Sequence, residues 1–261
     1  MAQNEIFHLA VGPSSGVDAD LLAQAAGIVN KNLYDVRLLL SGNMPRLVAH
    51  FGDLHEAEAA ARSLTALGLT ALVCRDSDLR KPQEDFHGHT LKFGDGEVLF
   101  LDRSGRRKAV SSAGVSIILR GTTGIRTETE GTTTRTKFSL GATVLTGGIP
   151  VWRKVKERAT DISVQVVHFA RLYGPESADH TVELTQHGMD YSFLGADKAP
   201  SSMANFNTVI RRIREAFPQA CFDDRLIGHS GGTEMPSKIG ADLESSCRLL
   251  YLYLRHSAAG D

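Results

Sequence analysis

Apolar residues recur at helical and short extended periods over roughly the first eighty positions, and almost wholly at extended periods over the next hundred. Residues 6–11 (IFHLAV) read as a short strand ended by Gly12-Pro13-Ser14-Ser15-Gly16, where proline removes a donor and glycine permits reversal. A helix should follow. Asp18 or Asp20 can cap a segment opening at Leu21-Leu22 and continuing to Ile28 and Val29; a second helical set, Leu33, Val36, Leu39 and Leu40, runs to a stop at Gly42. Residues 44–51 (MPRLVAHF) read as a strand with Pro45 near its entry, and Asp53 and Glu56 fit the N-cap and N3 positions of a capping box. The alanine-rich helix 56–67 then ends at Gly68, and 69–74 (LTALVC) is a third strand.

Residues 76–85 (DSDLRKPQED) are polar, charged and contain Pro82, the composition of an exposed linker, so a domain boundary is placed at 79–86. Beyond it, 90–93 and 97–101 flank Gly94-Asp95-Gly96, which predicts a hairpin closed by a type I′ turn. Further extended runs cover 115–120, 126–138, 151–158, 162–173 and 181–187. After Pro200-Ser201-Ser202, the residues Met203, Phe206, Val209, Ile210, Ile213 and Phe217 line one helical face, stopped by Pro218. A connector, 228–238 (GHSGGTEMPSK), leads to a last helix with Leu243, Cys247, Leu250 and Leu254 on one side. That helix can pack on the strand-rich domain, bridge two domains or pair with a second chain.

The order strand, two short helices, strand, helix, strand resembles the C-terminal domain of the bacterial ribosomal stalk protein and the related adaptor ClpS, most closely over 32–73. There a Leu-x-x-Val-x-x-Leu-Leu helix leads to a proline-containing strand, a capped Glu-Ala-Glu helix and a Gly-Leu-x-Ala strand. The resemblance implies a docking module rather than a catalyst. Stalk domains carry a glycine and lysine cluster around the helix hairpin, whereas this chain has Asn30-Lys31-Asn32-Leu33-Tyr34-Asp35 with Arg37 nearby. The resemblance therefore extends to the fold and not to the partner, and Tyr34 and Arg37 become candidate contacts. About seven strands followed by one amphipathic helix look like the pleckstrin-homology-like barrel, a class that implies binding of proteins, peptides or lipid headgroups. The expected architecture is α+β: a stalk-domain-like α/β module (1–78), a linker (79–86), an antiparallel barrel with a closing helix (87–227), and a connector with a C-terminal helix (228–261).

The chain has 261 residues, 42% hydrophobic and 23% charged, with a formal net charge of -1, which gives no global attraction to nucleic acid. Nucleic acid is not an expected partner. No basic, then apolar, leader opens the sequence and no run approaches the length of a membrane span, so a cytoplasmic location is expected. Cys74, Cys221 and Cys247 show no C-x-x-C spacing and read as buried, reduced thiols. Gly228-His229-Ser230-Gly231-Gly232 matches G-x-S-x-G, but it lacks the preceding strand and following helix of a nucleophile elbow. His87 and His89 can share one strand face; a metal would need a third ligand such as Asp85, His180 or His187. Asp223 and Asp224 would point apart in extended chain. With no phosphate-binding loop, dinucleotide fingerprint or zinc-protease motif, no cofactor, metal or catalytic residue is assigned, and an enzyme of unrecognised type stays as an alternative.

The most distinctive stretch is 138–152 (FSLGATVLTGGIPVW), with Arg135 and Lys137 before it and Arg153, Lys154, Lys156 and Arg158 after it. Three readings compete. Its aliphatics can fold into the barrel core; Val144, Leu145, Ile149 and Trp152 can anchor a protein partner with Arg153 at the rim; or an apolar tip can enter a membrane surface while Arg153, Lys154 and Lys156 meet anionic headgroups. The functional expectation is a non-enzymatic adaptor that recruits a protein through its N-terminal module or the loop 142–152. Anionic-lipid binding is the alternative, and self-association through 243–254 a further option.

Overall fold

The computed structural model describes residues 5–14, 16–82, 86–138, 152–177, 180–228 and 243–260, with backbone alone for 125–138, 152–164, 180 and 260. The fold is α+β. Its first sheet comprises β1 (Phe7–Val11), β2 (Arg46–Phe51) and β3 (Ala71–Arg75), ordered β2-β1-β3 with both neighbours antiparallel to β1. Helices α1 (Ala19–Val29), α2 (Leu33–Leu40) and α3 (Leu54–Ala66) pack on it, closing a core of Leu9, Val11, Val29, Val36, Val48 and Leu64. Each helix starts where a side chain takes up an orphan amide: Asp18 Oδ1 accepts from Leu21 N (2.8 Å), Asn32 Oδ1 from Asp35 N (2.9 Å) and Asp53 Oδ1 from Glu56 N (3.0 Å). Asn30, left-handed at φ 52°, ends α1 and turns the chain toward α2.

The expected linker begins as a helix, α4 (Asp76–Arg80). Its polarity conceals one inward residue: Leu79 is buried against Ala10, Leu72, Cys74 and Leu249. A single apolar side chain in a charged segment is invisible to composition, yet it fixes this turn to the first sheet.

Strands β4 (Thr90–Gly94), β5 (Glu97–Leu101) and β6 (Arg107–Ser111) form an antiparallel sheet in sequence order. In the β4–β5 turn Gly96 has φ 76° but Asp95 is not left-handed, so the turn is not the type I′ expected. A four-stranded sheet ordered β10-β7-β8-β9 follows, from β7 (Ile117–Phe138), β8 (Trp152–Tyr173), β9 (His180–Thr185) and β10 (Cys221–Leu226). The extended runs 115–120 and 126–138 are thus largely one strand, as are 151–158 and 162–173. Among the described residues no sheet closes into a barrel, and β10 joins β7 in parallel, unlike the all-antiparallel barrel expected. Helix α5 (Ser202–Ala216), capped by Ser201, packs Phe206, Val209, Ile210 and Ile213 into a core with Phe100, Ile118 and Leu184. Contacts divide the chain into two units: Met1–Thr123 with Val167–Asp261, and Gly124–Val166, the remaining lengths of β7 and β8.

The last helix, α6 (Leu243–Gly260), settles the choice left open for it. It bridges. Cys247, Leu250 and Tyr251 pack with Ile117, Leu119, Phe169, Tyr173 and Leu226 of the four-stranded sheet, while Leu249 packs with Ala10 and Leu72 of the first sheet. The face offered by sequence for self-association is therefore occupied within the chain. Arg248 is fully buried and donates from Nε to Glu244 Oε1 (3.0 Å) and from Nη1 to the Asp78 carbonyl of α4 (2.9 Å). Burial pushes the Cys74 and Cys247 thiols up to about 12, in line with inert packing, whereas Cys221, on the edge strand β10, is exposed. No described helix is long and apolar enough to cross a membrane.

Gly12 carries no side chain where the Tyr253 ring of α6 lies against β1, so a methyl group there would collide with the ring. Gly12→Ala is expected to destabilise the chain by about 1–3 kcal/mol, the usual cost of overpacking. Urea unfolding of the variant measures it as a lowered midpoint, and an unchanged midpoint would show that α6 does not hold this position.

Candidate functional site

Helix α2 is two turns long and buries one stripe, Val36 and Leu40. The remaining large side chains turn outward. Leu33 is 54% exposed, Tyr34 75% and Leu38 47%, so three of the seven large apolar side chains exposed among the described residues lie on this one eight-residue helix. Tyr34 and Leu38 are four residues apart on one helical row, with Leu33 and the exposed Arg37 on the adjoining row. Asp35 is already engaged, its Oδ2 accepting from Asn32 Nδ2 at 2.8 Å. Lys31, Arg37 and Asp35 are the exposed charges here, two basic and one acidic. Tyr34 and Arg37, the candidate contacts, are both exposed on this helix. Leu33 belongs to the helical set with Val36, Leu39 and Leu40 yet is exposed, because a Leu-x-x-Val-x-x-Leu-Leu pattern does not say which of its rows a two-turn helix can cover.

Trp152, Arg153, Lys154 and Lys156 lie in β8, in the unit Gly124–Val166, and their side chains are outside the described residues. Val144, Leu145 and Ile149 also lie outside them, as does Ser230.

Two polar clusters stand apart from α2's outer face. In the first, the antiparallel register sets His8 opposite His50, with the two Nδ1 atoms 2.6 Å apart and the rings edge to face. His8 is fully buried, and its Nε2 lies 2.9 Å from Asp76 Oδ1, which also meets Arg80 Nε at 2.9 Å. Asp76 accepts from His8 Nε2, so the hydrogen bond between the imidazoles is donated by His50 Nδ1 to His8 Nδ1 when both rings are neutral. A chain of polar groups thus runs from α4 through β1 to the exposed edge of β2. Nothing in the sequence signals it, since the pairing of positions 8 and 50 exists only through strand register.

The second cluster lines a hollow of about 560 Å³ that includes His87, His89, Asp102, Arg106 and Glu183. Its acids are occupied. Asp102 accepts from Arg106 Nε (2.6 Å) and from Ser104, bonds that hold its carboxyl at about 2. Glu183 Oε2 meets Arg171 Nε at 2.7 Å, and Arg171 extends Nη1 to Glu244 Oε2 of α6 at 2.6 Å. His87 Nδ1 is 3.5 Å from Glu183 Oε1, and His89 Nδ1 donates to the Gly188 carbonyl at 2.6 Å. Among the described residues no group of three or more His, Cys, Asp or Glu could hold a metal ion. Asp223, in β10, pairs with Arg225 at 2.6 Å.

Partial burial, then the nearby His8 and Lys31 charges, lower the proton affinity of His50, with Asp76 acting in the opposite sense. A base depressed in the folded state binds fewer protons there than in the unfolded chain, so stability falls as pH drops through the ordinary histidine value of 6.5. His168 shifts in the same direction through burial and then Arg120. Urea midpoints should therefore fall between about pH 7.5 and about pH 5.5, and His50→Gln should flatten part of that slope, an effect absent if His50 titrates alike in both states. No known protein family, curated protein or solved structure matches this chain, so the outward face of α2 is distinguished by its geometry alone.

Proposed function

We propose that this protein is a non-enzymatic adaptor that recruits a protein partner through the outward face of α2. The observation that carries the reading is the exposure of Leu33, Tyr34 and Leu38 together on one short helix beside Arg37. Large apolar side chains are worth about 1.5–3 kcal/mol each when fully buried, and the exposed parts of these three can contribute a share of that to a docking contact. Tyrosine and arginine are also the residue types that dominate binding hot spots. Lys31 and Arg37 outnumber the exposed Asp35 carboxylate at this helix, and that small basic excess favours a partner offering an apolar pocket with an acidic rim.

The element order β1-α1-α2-β2-α3-β3 supports the likeness to stalk-protein and ClpS-like docking domains. For the strand-rich part, α5 packed across strands supports the pleckstrin-homology-like reading, while the open sheets and parallel β10 count against a closed barrel. The engaged carboxylates of the hollow around His87 and His89 favour recruitment over catalysis.

Photo-crosslinking from position 34 in cells should capture one abundant partner, which the same group at the exposed Gln24 does not capture. Leu38→Asp should weaken affinity for that purified partner by about tenfold or more while leaving stability within about 0.5 kcal/mol of the parent chain. Capture unaffected by Leu38→Asp would reject this face.

A further inference from the structure

The first sheet ends on β3, which among the described residues pairs with β1 alone. Gly12 N donates to the Thr70 carbonyl (2.8 Å) and Asp76 N to the Ile6 carbonyl (2.9 Å), so positions 70 and 76 face β1. Alternate residues of an antiparallel ladder face the partner, hence Leu72 and Cys74 also do. The N–H and C=O groups of Ala71, Val73 and Arg75 then point away from the sheet. Along this edge runs a groove of about 730 Å³. Ala71, Leu72 and Val73 of β3 line it together with Ala61 of α3 and with Leu252 and Ala259 of α6. Open edges are ordinarily blunted by proline, charge or a covering element. Here two helices flank the edge on opposite sides of the sheet and leave a slot along it.

We propose that this groove receives one extended segment of a partner protein, which adds to β3 as a fourth strand. Backbone hydrogen bonds to Ala71, Val73 and Arg75 supply affinity, and the small walls admit β-branched side chains at alternate positions. The charges select the occupant. Arg62 lies 3.8 Å from Glu58 on α3, whereas Arg255 of α6 lines the groove as well and leaves a basic excess, so the slot favours an acidic segment. A second copy of this chain is disfavoured by the same groups. Antiparallel edge pairing about a two-fold axis normal to the sheet places α6 beside its own copy and brings the two Arg255 side chains to the same side of the joined sheet. This surface does not rest on the reading of α2.

A fluorescein-labelled peptide of alternating valine and glutamate tests the groove by anisotropy against the full chain. Saturable binding is expected. It should weaken about tenfold or more when alternate amides of the peptide are N-methylated or when glutamate is replaced by lysine, and Arg255→Glu should reverse the charge preference. Equal binding of the N-methylated peptide, or no saturable binding, overturns the proposal. A dimer seen by sedimentation velocity and dissolved by Val73→Pro, in a variant that keeps its urea midpoint, overturns it in favour of a second copy.

Discussion

The burial of α6 between two sheets is the constraint on which the larger unit depends. One side of the helix completes the core formed by Ile117, Leu119, Phe169 and Tyr173; another completes the layer of Ala10, Leu72, Cys74 and Leu79. On the first sheet the short helix α4 adds only Leu79 to that layer, so α6 provides most of its cover. At the seam sit Arg248, fully buried, and Arg171, whose guanidinium spans Glu183 and Glu244. Desolvation opposes such pairs, so they add little net stability, but removing one partner leaves a buried charge and is costly. They therefore fix the angle and depth of α6, with hydrophobic burial providing the driving force.

Local physics made much of the first sheet readable. Caps at Asp18 and Asp53, the stop after Leu40 and the strand periods all depend on residues within a few positions of one another, and the structure follows them closely. What failed depends on distant partners. Leu79 is a lone apolar residue in a charged run, and only the Ala10–Leu249 layer makes α4 a packed turn instead of a linker. Strand β10 contains Asp223-Asp224 and looks like a loop until β7 provides a parallel neighbour. Strand β6, with Arg107, Lys108 and Ser111, has too few apolar positions to announce itself, and Val110 alone reaches the core. The same division holds at the sites. Tyr34 and Arg37 were singled out by the stalk-domain resemblance, and a short helix exposes both; the His8–His50–Asp76 chain and the β3 groove arise from register and from helices remote in sequence.

The two surfaces proposed on the first sheet's module would differ in recognition chemistry. The α2 face offers side chains and would suit a folded partner with a preformed apolar pocket. The β3 edge is recessed and offers backbone, so it suits a segment without structure of its own. Both use the same module, whose core of Leu9, Val36, Val48 and Leu64 holds α2 and α3 on one face of the sheet while α6 covers the other.

The position of α6 also bears on how the chain reaches this state. Leu249 meets Ala10 across almost the full length of the sequence, and Tyr251 stacks on Tyr173 with ring centroids 4.9 Å apart. During synthesis both layers stay open to water until α6 has emerged, long after each sheet's own strands are available to pair. The intermediate so defined has apolar surface uncovered on two sides, a state prone to aggregation and to chaperone capture. The interval between emergence of β10 and docking of α6 is when this protein is most vulnerable in the cell.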